Sequence, residues 1–166
     1  MKPLEADQDL RDEEREAAVE CAMRMVLDFV DGMVGNTPEQ AERKVNQLRS
    51  SKELDLLLPE EFKRKVLKRA LDEECVANMR KCDQLLRETV ALSVADRMAE
   101  RGAKLAEARI YFLRASQLGA GPDWCRAFQR AEEAIRLTGG MRHADASVAK
   151  PLGGGTLREP KRVTLH

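Results

Sequence analysis

The chain has 166 residues, and its 29 basic residues balance its 29 acidic residues. A length of this order favours one domain. The balanced charge argues against a chain held open by self-repulsion and against a coat for nucleic acid. Aromatic residues make up only 4% of the sequence, and there are two histidines, so the side chains that stack on bases or carry imidazole chemistry are scarce.

The first long apolar pattern predicts an α-helix from Leu10 to Val34. Two adjacent rows of apolar residues, each with a spacing of four, are typical of a broad stripe on one helix face. Gly32 and Gly35 predict the end of this helix. The first row is Ala17, Cys21, Met25, Phe29 and Met33, and the second is Ala18, Ala22, Val26, Val30 and Val34.

A helix-start signal follows, in which Thr37 is a good N-cap, Pro38 takes the first helical position and Gln40 lies three residues after the cap. This second helix is predicted to run to about Arg49. A short helical turn through residues 52–58 comes next. A short buried strand is the competing interpretation of its leucines, but one strand without a partner cannot make a sheet.

No glycine or proline occurs from Glu60 to Arg101, and apolar residues recur there at helical spacings. One unbroken helix of that length is unusual in a compact domain of this size. We therefore expect a break or kink near Leu92 to Ser93, with Ser93 and Asp96 as the restart.

Two further helices are predicted after the break. One runs from about residue 94 to residue 118 and contains Gly102, where glycine costs about 1 kcal/mol relative to alanine. The other runs from 124 to 137, and we expect Gly139 and Gly140 to terminate it. The predicted fold class is all-α: a bundle of four to six helices with a long central helical run.

The last segment, 141–166, has three consecutive glycines, two prolines and no sustained period. Five basic residues against two acidic ones make it basic, whereas three basic residues against eight acidic ones make residues 1–20 acidic. We divide the chain into an acidic N-terminal lead-in over 1–9, a helical domain over 10–139, and a tail over 140–166 that is flexible or bound to a partner.

The cysteines are spread along the chain and lack the dense spacing of a secreted, disulfide-rich domain. They are Cys21, Cys75, Cys82 and Cys125. Reduced thiols are expected, with a disulfide from either middle cysteine to either outer one as the open alternative. The acidic N-terminus does not resemble a targeting segment, and no apolar stretch approaches the roughly 20 residues that cross a bilayer. We expect a soluble intracellular protein, cytoplasmic by default, without a membrane span.

The sequence lacks the motifs of several common enzyme classes. His143 and His166 both fall in the tail, which leaves no histidine base or histidine zinc ligand in the helical region. There is no Cys-x-x-Cys pair, phosphate-binding loop, dinucleotide-binding glycine motif or nucleophile elbow. We expect no catalytic residue, no metal and no cofactor. A site made of carboxylates or of a cysteine stays open.

The most basic stretch of the chain is residues 63–69. At 100° per residue, Arg64, Lys65, Lys68 and Arg69 lie on one sector of a helix. They are a candidate face for phosphates or for an acidic partner, although such a run is more often a solvated face balanced by nearby acidic residues.

Two other groups are candidates for contact with a partner. Trp124 and Phe128 lie one helical turn apart; such a pair usually anchors a core, but it would mark a binding hot spot if exposed. The tail supplies Arg158, Lys161 and Arg162.

From these patterns we expect a non-catalytic helical interaction protein with protein partners, acting as a scaffold, an adaptor or an accessory subunit of a larger assembly. The alternative is a nucleic-acid-associated factor that uses residues 63–69 and the tail, whose binding would weaken steeply as salt rises. A further alternative is a small enzyme with a carboxylate or cysteine site.

Overall fold

The computed structural model describes the backbone of residues 3–94 and 97–148, and the side chains of residues 8–92 and 97–138. This described backbone contains six α-helices and no strand, which confirms the predicted all-α class and the long central helix. The helices are α1 (Pro3–Asp31), α2 (Pro38–Ser50), α3 (Lys52–Leu57), α4 (Glu60–Val94), α5 (Met98–Gln117) and α6 (Pro122–Val148).

The chain divides into two compact units, Met1–Asn78 and Met79–His166. The first contains α1, α2, α3 and the beginning of α4, and the second contains the end of α4 together with α5 and α6. The boundary therefore falls inside α4 and inside the helical domain predicted over 10–139.

The core of the first unit contains residues from α1, α2 and α4. Val30 and Ala41 are completely buried. The predicted broad stripe of α1 is only partly correct, because Met25 is 67% exposed and because Val34, which is 65% exposed, lies beyond the end of α1 at Asp31. A spacing of four advances by more than one helical turn, so a row of such residues drifts off the buried face. The buried members of this core are Val26, Val30, Met33, Ala41, Val45, Leu58, Val66, Ala70 and Ala77.

The predicted start of α2 is confirmed by a complete capping box. Thr37 Oγ1 accepts a hydrogen bond from the Gln40 backbone N–H at 3.2 Å, and Gln40 Oε1 accepts one from the Thr37 N–H at 3.1 Å. Before this cap, Gly35 has a φ of +84°, a left-handed conformation that suits glycine. The helical interpretation of residues 52–58 is also confirmed, because Ser51 Oγ caps α3 by accepting from the Leu54 N–H.

Aromatic packing dominates the core of the second unit. The rings of Phe112 and Phe128 stack with their centroids 4.2 Å apart, and Trp124 lies 5.7 Å from Phe112. The Trp124 indole N–H donates to Asp83 Oδ1 at 3.3 Å, so the polar atom of this half-buried ring has a partner. The buried members are Cys82, Leu85, Ala108, Phe112 and Phe128.

Helix α1 begins at Pro3, several residues before the predicted start at Leu10. Proline is tolerated in the first helical turn. Sequence patterns put the start too late because the extra turns carry few apolar residues, and residues 8–18 of this helix are all exposed.

Helix α6 does not end at Gly139 and Gly140, as predicted, but continues to Val148. Each glycine costs about 1 kcal/mol of helix stability, but no proline blocks the helix before Pro151. The break after α4 is confirmed, since α4 ends at Val94 and α5 begins at Met98. None of the helices in the described part of the chain has the length and apolar character needed to span a membrane.

Replacing Thr37 by alanine should lower the free energy of unfolding by about 1 kcal/mol, because the N-cap hydrogen bond is lost. Urea denaturation followed by circular dichroism measures the difference. Thr138→Ala is the control, since the exposed Thr138 hydroxyl donates to the Ala134 carbonyl within its own helix and does not cap a helix. An equal loss of stability in both variants would contradict the importance of the cap.

Replacing Phe128 by alanine should cost about 3–5 kcal/mol, because a stacked ring that is 2% exposed is removed from the core of the second unit. The matched control is Leu113→Ala, since Leu113 is 50% exposed, and its cost should stay near the small values of surface substitutions. Similar urea midpoints for the two variants would show that Phe128 does not anchor this core.

Candidate docking groove

The four basic residues of the predicted helix sector, Arg64, Lys65, Lys68 and Arg69, are all exposed on α4. Three of them form ion pairs with carboxylates, which makes this face one of mixed charge. Arg64 forms no ion pair with any residue that the structure describes. The pairs are Lys65 with Glu61 (3.9 Å), Lys68 with Asp72 (3.0 Å) and Arg69 with Asp31.

Arg64 lies at the edge of a groove of about 330 Å³ in the first unit. Residues from α1, α2, α3 and α4 line it, and its volume falls in the range of ligand sites. Its apolar lining is Val26, Leu48, Leu54, Leu58, Val66 and Leu67, and its polar lining is Arg49, Asp55, Glu60, Lys63 and Arg64.

The leucines of α3 explain much of the apolar lining. Leu54 lies on α3 and Leu58 directly follows the end of this helix, and both line the groove. The intervening Leu56 and Leu57 are 86% and 41% exposed. This short segment therefore presents apolar side chains both inside the groove and on the protein surface.

Lys63 holds the acidic residues of the groove. Its ammonium group lies 2.7 Å from Glu60 Oε1 and 3.3 Å from Asp55 Oδ1, and it also donates to the Asp55 carbonyl oxygen at 3.2 Å. Hydrogen bonding to Glu60, followed by that to Asp55, raises the pKa of Lys63. Lys63 therefore stays charged at neutral pH and connects α3 to the first turn of α4.

Arg49 and Arg64 carry the charges of the groove that its own acidic residues do not balance. Both side chains are exposed, and neither pairs with a carboxylate in the described part of the chain. With Lys63 engaged by Asp55 and Glu60, three cations face two anions in the lining. The edge of the apolar groove is therefore positively charged.

Trp124 and Phe128, which were also predicted to bind a partner, do not line this groove. Phe128 is buried in the core of the second unit and Trp124 packs beside it, so Phe128 is not exposed as a hot spot. Arg158, Lys161 and Arg162 lie outside the described residues.

None of the four cysteines, all of which lie in the described part of the chain, forms a disulfide bond; Cys75 and Cys82 are buried, Cys125 is half-buried and Cys21 is exposed. Burial raises the pKa of the Cys82 thiol to about 12, so this residue is a neutral thiol rather than a nucleophilic thiolate at physiological pH. Within residues 8–92 and 97–138, no three histidine, cysteine or acidic side chains lie close enough to hold a metal ion.

Arg49 is the residue of the groove that sequence patterns missed. It lies in the last turn of α2, where a basic residue is normally explained by the helix dipole. The spacing of Leu54 and Leu58 indicates part of the apolar lining of the groove. Nothing in the sequence indicates that Arg49 and Arg64 line the same groove.

In the native protein, Cys21 should react first with an aromatic disulfide reagent, because its thiol is exposed to solvent. Cys82 should react only after denaturation, since its raised pKa and its burial both suppress the thiolate. Released chromophore measures the rates. Cys21→Ser should remove the fast phase, and a fast phase that is lost in Cys82→Ala would contradict this order.

The groove thus combines an apolar lining, two guanidinium groups that pair with no carboxylate of the described residues, and a lysine that binds the local carboxylates. Its chemistry suits an apolar ligand that carries negative charge. Comparison of the chain with models of known protein families, with curated proteins and with solved structures finds no match.

Proposed function

We propose that this protein is a non-catalytic interaction protein, a scaffold, adaptor or accessory subunit, whose groove binds an acidic, amphipathic segment of a protein partner. The observation that supports this most strongly is the position of Arg49 and Arg64 at the edge of an apolar groove, where both are exposed and neither pairs with a carboxylate that the structure describes. An incoming segment would supply the missing carboxylates and the apolar side chains.

The apolar part of the groove suits the side chains of an amphipathic helix. Such helices bind by placing residues at spacings of three and four into a hydrophobic groove. Leu48, Leu54 and Leu67 offer aliphatic surface inside the groove, and Leu56 and Leu57 extend the apolar surface of α3 outward. Burial of leucine-sized side chains would supply most of the binding free energy.

The positively charged edge of the groove would favour a partner segment that carries negative charge. A guanidinium group binds a carboxylate through two parallel hydrogen bonds. Each such contact at an exposed site contributes about 0–1 kcal/mol. The two arginines therefore favour acidic segments over basic ones and speed their encounter.

A protein partner accounts for these features better than the alternative of nucleic acid. Phosphates that approach Lys65, Lys68 or Arg69 would compete with carboxylates that already pair with these residues. An enzyme site is also less well supported, since the carboxylates of the groove, Asp55 and Glu60, are both engaged by Lys63.

The test is selection from a display library of random peptides of about 15 residues, long enough to form a helix when bound, against the full chain. We expect enrichment of peptides with several acidic residues and with leucine-like residues at spacings of three and four. The Kd of one selected peptide is then measured by fluorescence anisotropy. The double variant Arg49→Glu, Arg64→Glu should weaken binding at least about tenfold, because two attractive contacts become repulsive.

Arg43→Glu is the matched control, since Arg43 is an exposed arginine on α2 that does not line the groove. This variant should leave the Kd of the selected peptide nearly unchanged. The proposal is wrong if no acidic peptides are enriched, or if Arg43→Glu weakens binding as much as the double variant. A synthetic peptide of residues 1–20 is measured in the same assay, and the proposal is also wrong if this peptide binds more tightly than every selected peptide, because the occupant would then be a second copy.

A further inference from the structure

Arg101, on α5 in the second unit, is a buried cation. Arg101 as a whole residue is only 5% exposed. One terminal nitrogen donates to the Ile135 carbonyl oxygen, and the other contacts Met98 Sδ at 3.6 Å. No carboxylate among the described residues pairs with it. Burial of a charge without a counter-charge is unfavourable, so this arginine needs a reason that packing alone does not give.

Two more arginines, Arg109 and Arg136, lie near Arg101, and both bind the carboxylate of Glu132. Arg109 Nη1 donates to the two carboxylate oxygens of Glu132 at 2.7 and 2.8 Å. Arg136 Nη2 donates to Glu132 Oε1 at 2.9 Å. The Glu132 side chain is 9% exposed and is therefore fixed between them. Each of these guanidinium groups keeps further N–H donors, since a guanidinium has five.

The three arginines line a common pocket of about 470 Å³ between α5 and α6. Three arginines and one glutamate give the pocket lining a net charge of +2. Positive charge in a concave site raises the local concentration of anions. The pocket is lined by Met98, Arg101, Gly102, Leu105, Ala106, Arg109, Glu132 and Arg136.

Gly102 contributes to the space in this pocket. It lies inside α5, where glycine costs about 1 kcal/mol relative to alanine. A Cβ atom added at this position would lie more than 4 Å from the described atoms other than those of its chain neighbours and of the nearby backbone of α5. No close contact with these residues therefore requires the glycine, and a larger side chain at this position of the pocket lining would take up space in the pocket.

We infer that this pocket, here called the arginine pocket, binds a dianion of the phosphate class, either free phosphate or a small phosphate monoester. A dianion matches the net charge of the lining, and its terminal oxygens can accept hydrogen bonds from several guanidinium groups at once. Its charge would also compensate the buried Arg101. A dicarboxylate has the same charge but spreads it over two separate groups, and it is the competing ligand.

The test is isothermal titration calorimetry, which measures the Kd of the full chain for inorganic phosphate, for glycerol phosphate and for succinate at constant low ionic strength. Either phosphate compound should bind more tightly than succinate. Tighter binding of the monoester would identify an esterified ligand, and tighter binding of inorganic phosphate would identify the free ion. Gly102→Leu should weaken phosphate binding at least about tenfold, since its side chain fills the space that the anion needs. The helix itself should be stabilised by this change.

Arg136→Gln should weaken phosphate binding about three- to tenfold, a loss typical of one charge-assisted contact. Arg126→Gln is the control on the same helix, because the side chains of Arg126 and Arg136 are 60% and 63% exposed and Arg126 pairs with Asp123 outside the pocket. The melting temperature of each variant shows that it is folded. The inference is overturned if the wild-type chain binds no phosphate, if succinate binds more tightly, or if Gly102→Leu binds phosphate as the wild type does.

Discussion

The apolar side of α4 must be covered by other helices along much of its length, because exposed aliphatic surface is unfavourable in water. Val66, Ala70 and Ala77 lie in the core of the first unit, and Cys82 and Leu85 lie in the core of the second. The other helices supply the matching apolar faces. Both candidate sites depend on this burial, since the groove and the arginine pocket are each lined by helices that pack in one of these cores.

Local signals in the sequence were sufficient for much of the fold. The capping box at Thr37 and the helical turn at 52–58 depend on neighbours within a few residues, so they can be predicted from short patterns. The continuation of α6 through Gly139 could not be predicted in this way. Glycine only lowers helix stability, and whether the helix continues depends on the residues that follow.

The candidate sites were harder to predict, because each one joins residues from different helices. Arg64 was predicted as part of a basic face, and it does lie at the groove, but its position beside Arg49 depends on how α2 and α4 pack. No sequence pattern indicates that Arg101 is buried or that it lines a site. Arginines in a helical pattern are usually solvated, and only the three-dimensional structure shows that this one is buried.

The aromatic residues of the chain have a consequence for how its unfolding is observed. The single tryptophan, Trp124, and the single tyrosine, Tyr111, both belong to the second unit, whereas the first unit contains only Phe29 and Phe62 as aromatic residues. Intrinsic fluorescence therefore reports on the second unit, and the first unit is almost silent to it. A fluorescence transition measures the second unit, whereas a circular dichroism transition measures the helices of both units, so their agreement is a test of cooperativity rather than a duplicate measurement.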